Sequence, residues 1–376
     1  MPTRKKLLLP ILILLLFIGT ACQATWAITI NENSDAVSSI TADNVAFYID
    51  TSDEEIQTVP LGQFFFDNGF TLIDQITLTM ENTESLTFIW DEIAEETTLS
   101  PNGTLTIGEV AYQPTSIEVT PSKRLSGVDL SILDISPTVL SALGLPSLPE
   151  AHGQPQLTTS AQQVVIILTD GTQYDKLQSM VAAGEQPFFA SQDKINCGIS
   201  IYPPITTSAS AALFTSTIAA NNGVYGYGYR STELTTLFDI VTDNGKMAIA
   251  VEGASLPFNL RNAEVILSGD RDNNGWSDDN VYLNAMEVIQ NNLPHLLYIH
   301  FHEIDDMGHE YGDNSPEYET ALIRVDGYIA DIVDMLPSDT LIIILADHGM
   351  HTTADGGNHG TLTAADMLIP VTFIQK

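Results

Sequence analysis

With 376 residues, 44% of them hydrophobic and 16% charged, the chain has room for two or three domains with sizeable cores, and wholesale disorder is excluded. Lys and Arg number 13 against 48 Asp and Glu, a formal charge of −35. That balance argues against a general nucleic-acid binder, which needs a cationic footprint to displace counterions, and the two cysteines exclude a disulfide scaffold and a thiolate metal cluster.

Residues 1–27 read as an export signal. Arg4, Lys5 and Lys6 make a basic start, and Leu7–Ile18, a stretch of 12 residues broken by Pro10, falls short of the roughly 20 needed to span a bilayer. Gly19, Thr20 and Ala21 then lead to Cys22. The segment resembles a bacterial or archaeal lipoprotein signal, in which the cysteine is lipidated and becomes the first residue. Gly19 stands where that pattern usually has Leu, and cleavage nearby, after Ala24, is the alternative. The expectation is an exported protein, lipid-anchored at the cell surface or free outside the cell or in the periplasm, with the membrane as a partner only through the anchor.

From Cys22 to Ser122 there are 17 acidic residues and no Lys or Arg, so a first domain, residues 28–122, is set off by composition. Ile76, Leu78 and Met80 alternate with Thr77 and Thr79, and Asn44–Asp50, Gln63–Phe66, Ser85–Trp90 and Thr104–Glu109 read similarly as strands between turns such as Asp67-Asn68-Gly69. This predicts a small all-β domain, a sandwich or barrel, with no chemistry of its own.

From Lys123 the texture changes. Val164–Leu168 and Leu341–Leu345 are unbroken apolar runs, as in strands buried on both faces, and Ser208–Ala220 and Ser315–Met335 read as helices. The prediction for 123–376 is a three-layer α/β/α domain with a mostly parallel central sheet. In such folds ligands gather at the carboxyl ends of the strands, so the polar residues just after the apolar runs are the ones to inspect.

Four stretches qualify. Asp170 follows Val164–Thr169 directly and precedes Gly171. Tyr202–Thr215 runs from prolines and hydroxyls into an Ala-rich helix, whose positive N-terminal end suits a phosphate. Asp305-Asp306-Met307-Gly308-His309 follows Leu296–His302 and offers an i, i+4 pair to one ion. Asp347-His348-Gly349-Met350 follows Leu341–Ala346 and is trailed by Gly357-Asn358-His359-Gly360. Carboxylate and imidazole donors of this kind suit zinc, or manganese in a more oxygen-rich site.

Taken in order over about 161–376, these motifs resemble the alkaline phosphatase superfamily, especially its nucleotide pyrophosphatase/phosphodiesterase branch. The spacing from Asp347 to His359 also resembles the ethanolamine-phosphate transferases of glycolipid-anchor synthesis. The resemblance implies one divalent ion held by Asp305, His309 and His359, and a second held by Asp170, Asp347, His348 and a nucleophile hydroxyl. The family places Leu-x-Thr seven to nine residues past that nucleophile, and Leu213 and Thr215 select Thr206, with Thr207 and Ser208 as neighbours in contention. A metal-activated threonine would then form a phospho-enzyme intermediate, and the cations would also offset repulsion between an acidic protein and an anionic ester. The phosphodiesterase branch has an Asn three residues past the nucleophile, where this chain has Ala209; Asn222 or Arg230 is expected to replace it, and His351 to reach substrate.

Two further signals complete the reading. Val128–Pro146 resembles a superfamily element that usually follows the last catalytic motif, so residues 123–160 are expected to be a circularly permuted segment, with strand 128–133 lying beside the strand near 369–374. Asp270, Asp272, Asn274 and Asp278, with Gly275 between, match the spacing of a calcium loop, although position twelve is Val281 and a solvated acidic turn is the alternative. His300 and His302 would either line the site or pack within a strand. The functional expectation is an exported two-metal phosphoric-ester hydrolase acting on small-molecule or lipid-headgroup phosphoesters, with phosphodiester cleavage first. A nucleotide would be the nearest it comes to nucleic acid. Phosphomonoester hydrolysis and phosphoethanolamine-type transfer are alternatives, and a non-catalytic acidic surface lipoprotein is the alternative of another class.

Overall fold

A computed structural model describes residues 26–48, 58–271 and 273–376. Residues 1–25, which include Cys22 and most of the expected signal, and Asp272 lie outside the described residues, while Ala27 already opens the strand Ala27–Glu32. No helix among the described residues is long and apolar enough to cross a membrane.

The apolar runs form the centre of an eight-stranded sheet. Its order is Leu130–Ser131, Asn196–Ile199, Leu368–Gln375, Thr340–Leu345, Gln163–Thr169, Leu296–Phe301, Ala248–Glu252 and Glu264–Leu267. Leu368–Gln375 runs antiparallel to both its neighbours, and the other pairs are parallel. Alternate residues of each run enter different cores. Val164, Ile166 and Leu168 pack with Ile343, Leu345 and Tyr298 beneath the helices Ile135–Ala142, Thr206–Thr215 and Leu237–Asp243. Val165 and Ile167 pack with Leu297, Ile299, Ile342 and Ile344 beneath Tyr174–Ala183, Asp278–Asn292 and Pro316–Met335. This is the expected three-layer α/β/α arrangement, and burial on both faces explains the absence of alternation in these runs.

Register sets the site. Thr169 is level with Phe301, and Leu168 with Leu345, so the three central strands end together. The residues that follow, Asp170, His302 and Asp347, therefore emerge at one edge of the sheet.

The N-terminal residues form a five-stranded sheet and a four-stranded sheet, as the alternation predicted. The module is β-rich and, among the described residues, carries three short helices besides. Ala42–Tyr48 and Leu61–Asp67 are helices where strands were expected at Asn44–Asp50 and Gln63–Phe66. Leu61, Phe64 and Phe65 are spaced i, i+3, i+4 and all buried, a helical period that outweighs the aromatic strand propensity. The module does not stand apart from the α/β layers: its core includes Tyr202, Leu362 and Met367, and the buried Trp90 donates its indole N–H to the Leu362 carbonyl at 3.0 Å.

The expected pairing of the segment 128–133 with the strand near 369–374 is not found. Only Leu130–Ser131 is a strand, and Asn196–Ile199 lies between it and Leu368–Gln375, pairing Gly198 with Leu130 on one side and Ile369 on the other. A Cβ on Gly198 would stand 2.8 Å from a Val371 methyl and 3.0 Å from Ile369 Cγ1, so glycine lets the inserted strand seat there without moving those side chains. Ile132–Asp134 turns instead into a short 3-10 helix capped by Ser131, and leads into Ile135–Ala142.

Candidate functional site

Thr206 opens the helix Thr206–Thr215, so its side chain stands at the positive end of that helix. Its hydroxyl lies 3.2 Å from His348 Nε2 and 3.5 Å from Asp170 Oδ1. The two neighbours point elsewhere. Ser208 donates to the Val224 carbonyl at 3.0 Å, and the Thr207 hydroxyl is buried with no hydrogen-bond partner.

Asp170, at the end of the central strand, is bounded on one oxygen by His348 Nε2 at 3.2 Å and on the other by His300 Nε2 at 3.0 Å and His302 Nδ1 at 3.4 Å. Asp347 receives the N–H groups of Gly171 and His348 on one oxygen, and its other oxygen is buried without a hydrogen bond, 3.4 Å from His348 Nε2. Asp305 and His309 share a face of the helix Glu303–Tyr311, and His309 Nε2 is 3.3 Å from Asp305 Oδ2. His359 ends the short hairpin of His351–Thr353 and Gly356–Asn358, with its Nε2 3.6 Å from Asp305 Oδ1 and 3.1 Å from His309 Nε2. All six Asp and His residues predicted as metal ligands thus meet in one connected cluster, with Thr206 against its Asp170 and His348.

The imidazoles are oriented alike. Nδ1 of His309, His348 and His359 faces the carbonyl of Gly357, Gly349 and Pro204 at 3.2, 2.9 and 3.0 Å. With Nδ1 donating to a carbonyl, each ring in its neutral form turns the Nε2 lone pair toward the cluster. That is the orientation in which histidine binds a metal. Two such nitrogens 3.1 Å apart, with buried oxygens of Asp305 and Asp347 that face imidazoles and make no hydrogen bond, fit a divalent cation. Asp305, His348 and His359 form one group of donor atoms within 4.8 Å of one another, and Asp170, Asp347 and His348 form another.

Without a cation the charges are balanced by protons. Burial and the Asp170 charge push the Asp347 carboxyl up to about 7. Burial alone would raise Asp170 too, but hydrogen bonds from His300, His302 and His348 hold it well below the usual range. His348 is raised against the effect of burial by Asp347 and Asp170, while burial and the His348 charge press His359 down to about 4.

Behind Asp170 lies a set of residues that the motif reading did not assemble. Glu252, at the end of Ala248–Glu252, receives His300 Nδ1 at 3.0 Å and His302 Nε2 at 3.1 Å. His300 is fully buried, and Asp170, His300 and His302 themselves offer three donor atoms in one group. The signal for Glu252 was available: it too is a carboxylate ending an apolar run, Ala248–Val251.

Five predicted substrate or calcium positions have protein partners of their own. Asn222 is buried, donating to the Thr217 carbonyl and accepting from Val224 N–H. Arg230 reaches the carbonyls of Tyr227 and Leu256. His351 sits between Asp366 at 2.7 Å and Glu95 of the N-terminal module at 3.4 Å, away from the cluster. In the acidic loop, Asp270 accepts from the N–H groups of Asn274 and Gly275, and Asp278 is buried, accepting from His302 and Glu303 at the start of the helix Glu303–Tyr311. Asp278 therefore caps that helix instead of closing a calcium loop.

Residues 254–368 match the family model described as type I phosphodiesterase / nucleotide pyrophosphatase. The matched segment is phosphodiesterase-like. It contains Asp305, His309, Asp347, His348 and His359, and leaves out Asp170 and Thr206. The chain is also similar to the catalytic subunit of human GPI ethanolamine phosphate transferase 3, with 36% identity over 73 residues, 19% of this chain and 7% of that protein. GPI ethanolamine phosphate transferase 3 of Eremothecium gossypii is 38% identical over 72 residues, 19% of this chain and again 7% of the relative. Among solved structures, phosphonoacetate hydrolase from Sinorhizobium meliloti superposes over 56% of this chain and 62% of its own, with a TM-score of 0.43 and 19% identity.

Proposed function

We propose that the protein is a two-metal phosphoric-ester hydrolase with Thr206 as nucleophile, and that phosphodiesters are its preferred substrates. The observation that carries this reading is one connected cluster of three carboxylates and three imidazoles, in which Asp170 and His348 stand against the Thr206 hydroxyl and the rest join through His348, Asp305 and His359. Asp305, His309 and His359 would hold one ion, and Asp170, Asp347 and His348 the other beside Thr206. The mixed nitrogen and oxygen donors suit zinc. When bound, two divalent cations favour the alkoxide of Thr206 and offset charge on the ester and on the leaving oxygen.

The chain's own part is positional. Gly349, Gly357 and Pro204 fix the three rings through their carbonyls, and His300 and His302 fix Asp170 from behind. Thr206 Oγ1 attacks phosphorus, the bond to the leaving alkoxide breaks, and a phosphothreonine forms. Water then cleaves that ester and restores the hydroxyl. The N-terminus of Thr206–Thr215 faces the phosphoryl group with its positive end throughout.

Transfer to an alcohol acceptor is the second reading, supported by the ethanolamine phosphate transferases to which part of the chain is similar. A non-catalytic surface role has less support, since it gives no reason for six such donors to gather in one cluster beside a hydroxyl.

The test is hydrolysis of nitrophenyl phosphate and bis(nitrophenyl) phosphate before and after chelation, with product analysis in the presence of acceptor alcohols. The diester should be cleaved faster, chelation should abolish turnover, and Thr206→Ala should do the same while retaining metal. Turnover surviving in Thr206→Ala would remove Thr206 from the nucleophile's role.

A further inference from the structure

We propose that the phenol of Tyr227 donates a hydrogen bond to a non-bridging phosphoryl oxygen of the substrate, as the binding group that Ala209, Asn222 and Arg230 do not provide. The inference rests on the reading of the site as a phosphoryl-transfer centre. An anionic ester placed against Thr206 presents oxygens that need donors, and the side chain one turn along the helix, Ala209, is a buried methyl. Asn222 and Arg230 are turned toward backbone groups of their own loop and of Leu256.

Tyr227 is placed to fill the gap. Its hydroxyl lies 3.4 Å from His359 Nε2, the nitrogen that also faces His309 and Asp305. The phenol therefore ends at the mouth of the cluster although the residue as a whole is 54% exposed. A neutral donor suits this position, because a second anion there would repel the ester and a fixed cation would compete with the metals.

The loop is built to deliver it. Val224 is fully buried and anchored by its N–H to Asn222 Oδ1. The N–H of Tyr229 then bonds the Gly226 carbonyl at 2.9 Å, closing a turn in which Tyr227 is the first central residue. Gly226 and Gly228, on either side, have no neighbouring atoms within 4 Å of where a Cβ would stand, so the turn rises free of the layers beneath it.

The test is Tyr227→Phe, which keeps the ring and removes the donor, with Tyr229→Phe as a control from the same loop. Measurements are kcat and KM for bis(nitrophenyl) phosphate, binding of inorganic phosphate to metal-loaded protein by calorimetry, metal content, and melting temperature. A lost donor to developing phosphoryl charge predicts a fall in kcat/KM of about 10- to 100-fold and phosphate binding weakened several-fold, with metal content and melting temperature unchanged. Tyr229→Phe should match wild type. Unchanged kinetics and phosphate affinity in Tyr227→Phe would overturn the proposal, and so would loss of bound metal, which would make the phenol a ligand. Phosphate binding is read independently of turnover, so a protein that binds phosphate through Tyr227 but hydrolyses neither ester would sink the hydrolase reading and leave this one standing.

Discussion

Gly171→Ala probes how the site is held together. Gly171 follows Asp170 directly and has φ +68, a conformation that L residues adopt at a cost of about 1–2 kcal/mol. A Cβ there would stand 2.8 Å from Asp305 Oδ1 and 2.9 Å from Asp305 Cα and Cβ. Those distances are too short to survive, and backbone as well as side chain must move. Overpacking of this kind typically costs about 1–3 kcal/mol, for a total of about 2–5 kcal/mol. Gly184→Ala is the matched control, because Gly184 has φ +80 and nothing within 4 Å of a built Cβ. It should lose only the conformational part. Urea denaturation of the two variants against wild type gives the difference through the midpoints, provided the slopes agree. Calorimetric titration with zinc gives the second readout. The Gly171 variant should be the less stable by about 1–3 kcal/mol and should bind zinc more weakly, because Asp305 is the residue displaced. Equal losses in the two variants, with zinc affinity as in wild type, would refute the claim that the Asp170 strand end and the Asp305 helix are packed at contact distance to build one site.

Two further outcomes follow from the charges. Burial alone would lower His351, but its hydrogen bond to Asp366 and the charges of Asp366 and Glu95 raise it to about 9. Because the folded value lies above the unfolded one of about 6.5, this stabilisation is complete below pH 6.5 and lost as pH rises toward 9, so His351→Gln should be less stable than wild type by up to about 3 kcal/mol at pH 6 and by little at pH 10; a gap that does not change with pH in denaturation curves would contradict it. Glu252→Gln keeps the shape of a residue only 2% exposed but removes the charge that His300 and His302 both face. It should lower the denaturation midpoint by an amount worth about 2–3 kcal/mol, and an unchanged midpoint would show that these imidazoles need no second carboxylate.

Much of this arrangement was legible in the sequence because burial leaves a plain mark. Gln163–Thr169, Leu296–Phe301 and Thr340–Leu345 are buried along their whole length but for Gln163; Val164–Leu168 and Leu341–Leu345 read as unbroken apolar runs, Leu296–Phe301 carries His300 within it, and the first polar residues beyond all three lie at one sheet edge. Glu252 obeys the same rule and was missed because Ala248–Val251 is short and half alanine. Asn196–Ile199 escaped notice because four residues containing an asparagine and a glycine make no run at all, and its insertion is what separates Leu130–Ser131 from Leu368–Gln375. Leu61–Asp67 was misread because three consecutive phenylalanines suit a strand by propensity, while the spacing of Leu61, Phe64 and Phe65 suits a helix. Tyr227 and His351 depended on which way a loop turns, and Arg230 likewise. Residue types alone carry no such information.

The account stands on two cations shared among Asp170, Asp305, His309, Asp347, His348 and His359 beside Thr206. Anomalous scattering at the zinc edge from crystals of the zinc-loaded protein tests it most directly. Two peaks are predicted, one within bonding reach of Asp305, His309 and His359, the other of Asp170, Asp347 and His348 with the Thr206 hydroxyl next to it. Peaks confined to other residues, or none among these six, would contradict it.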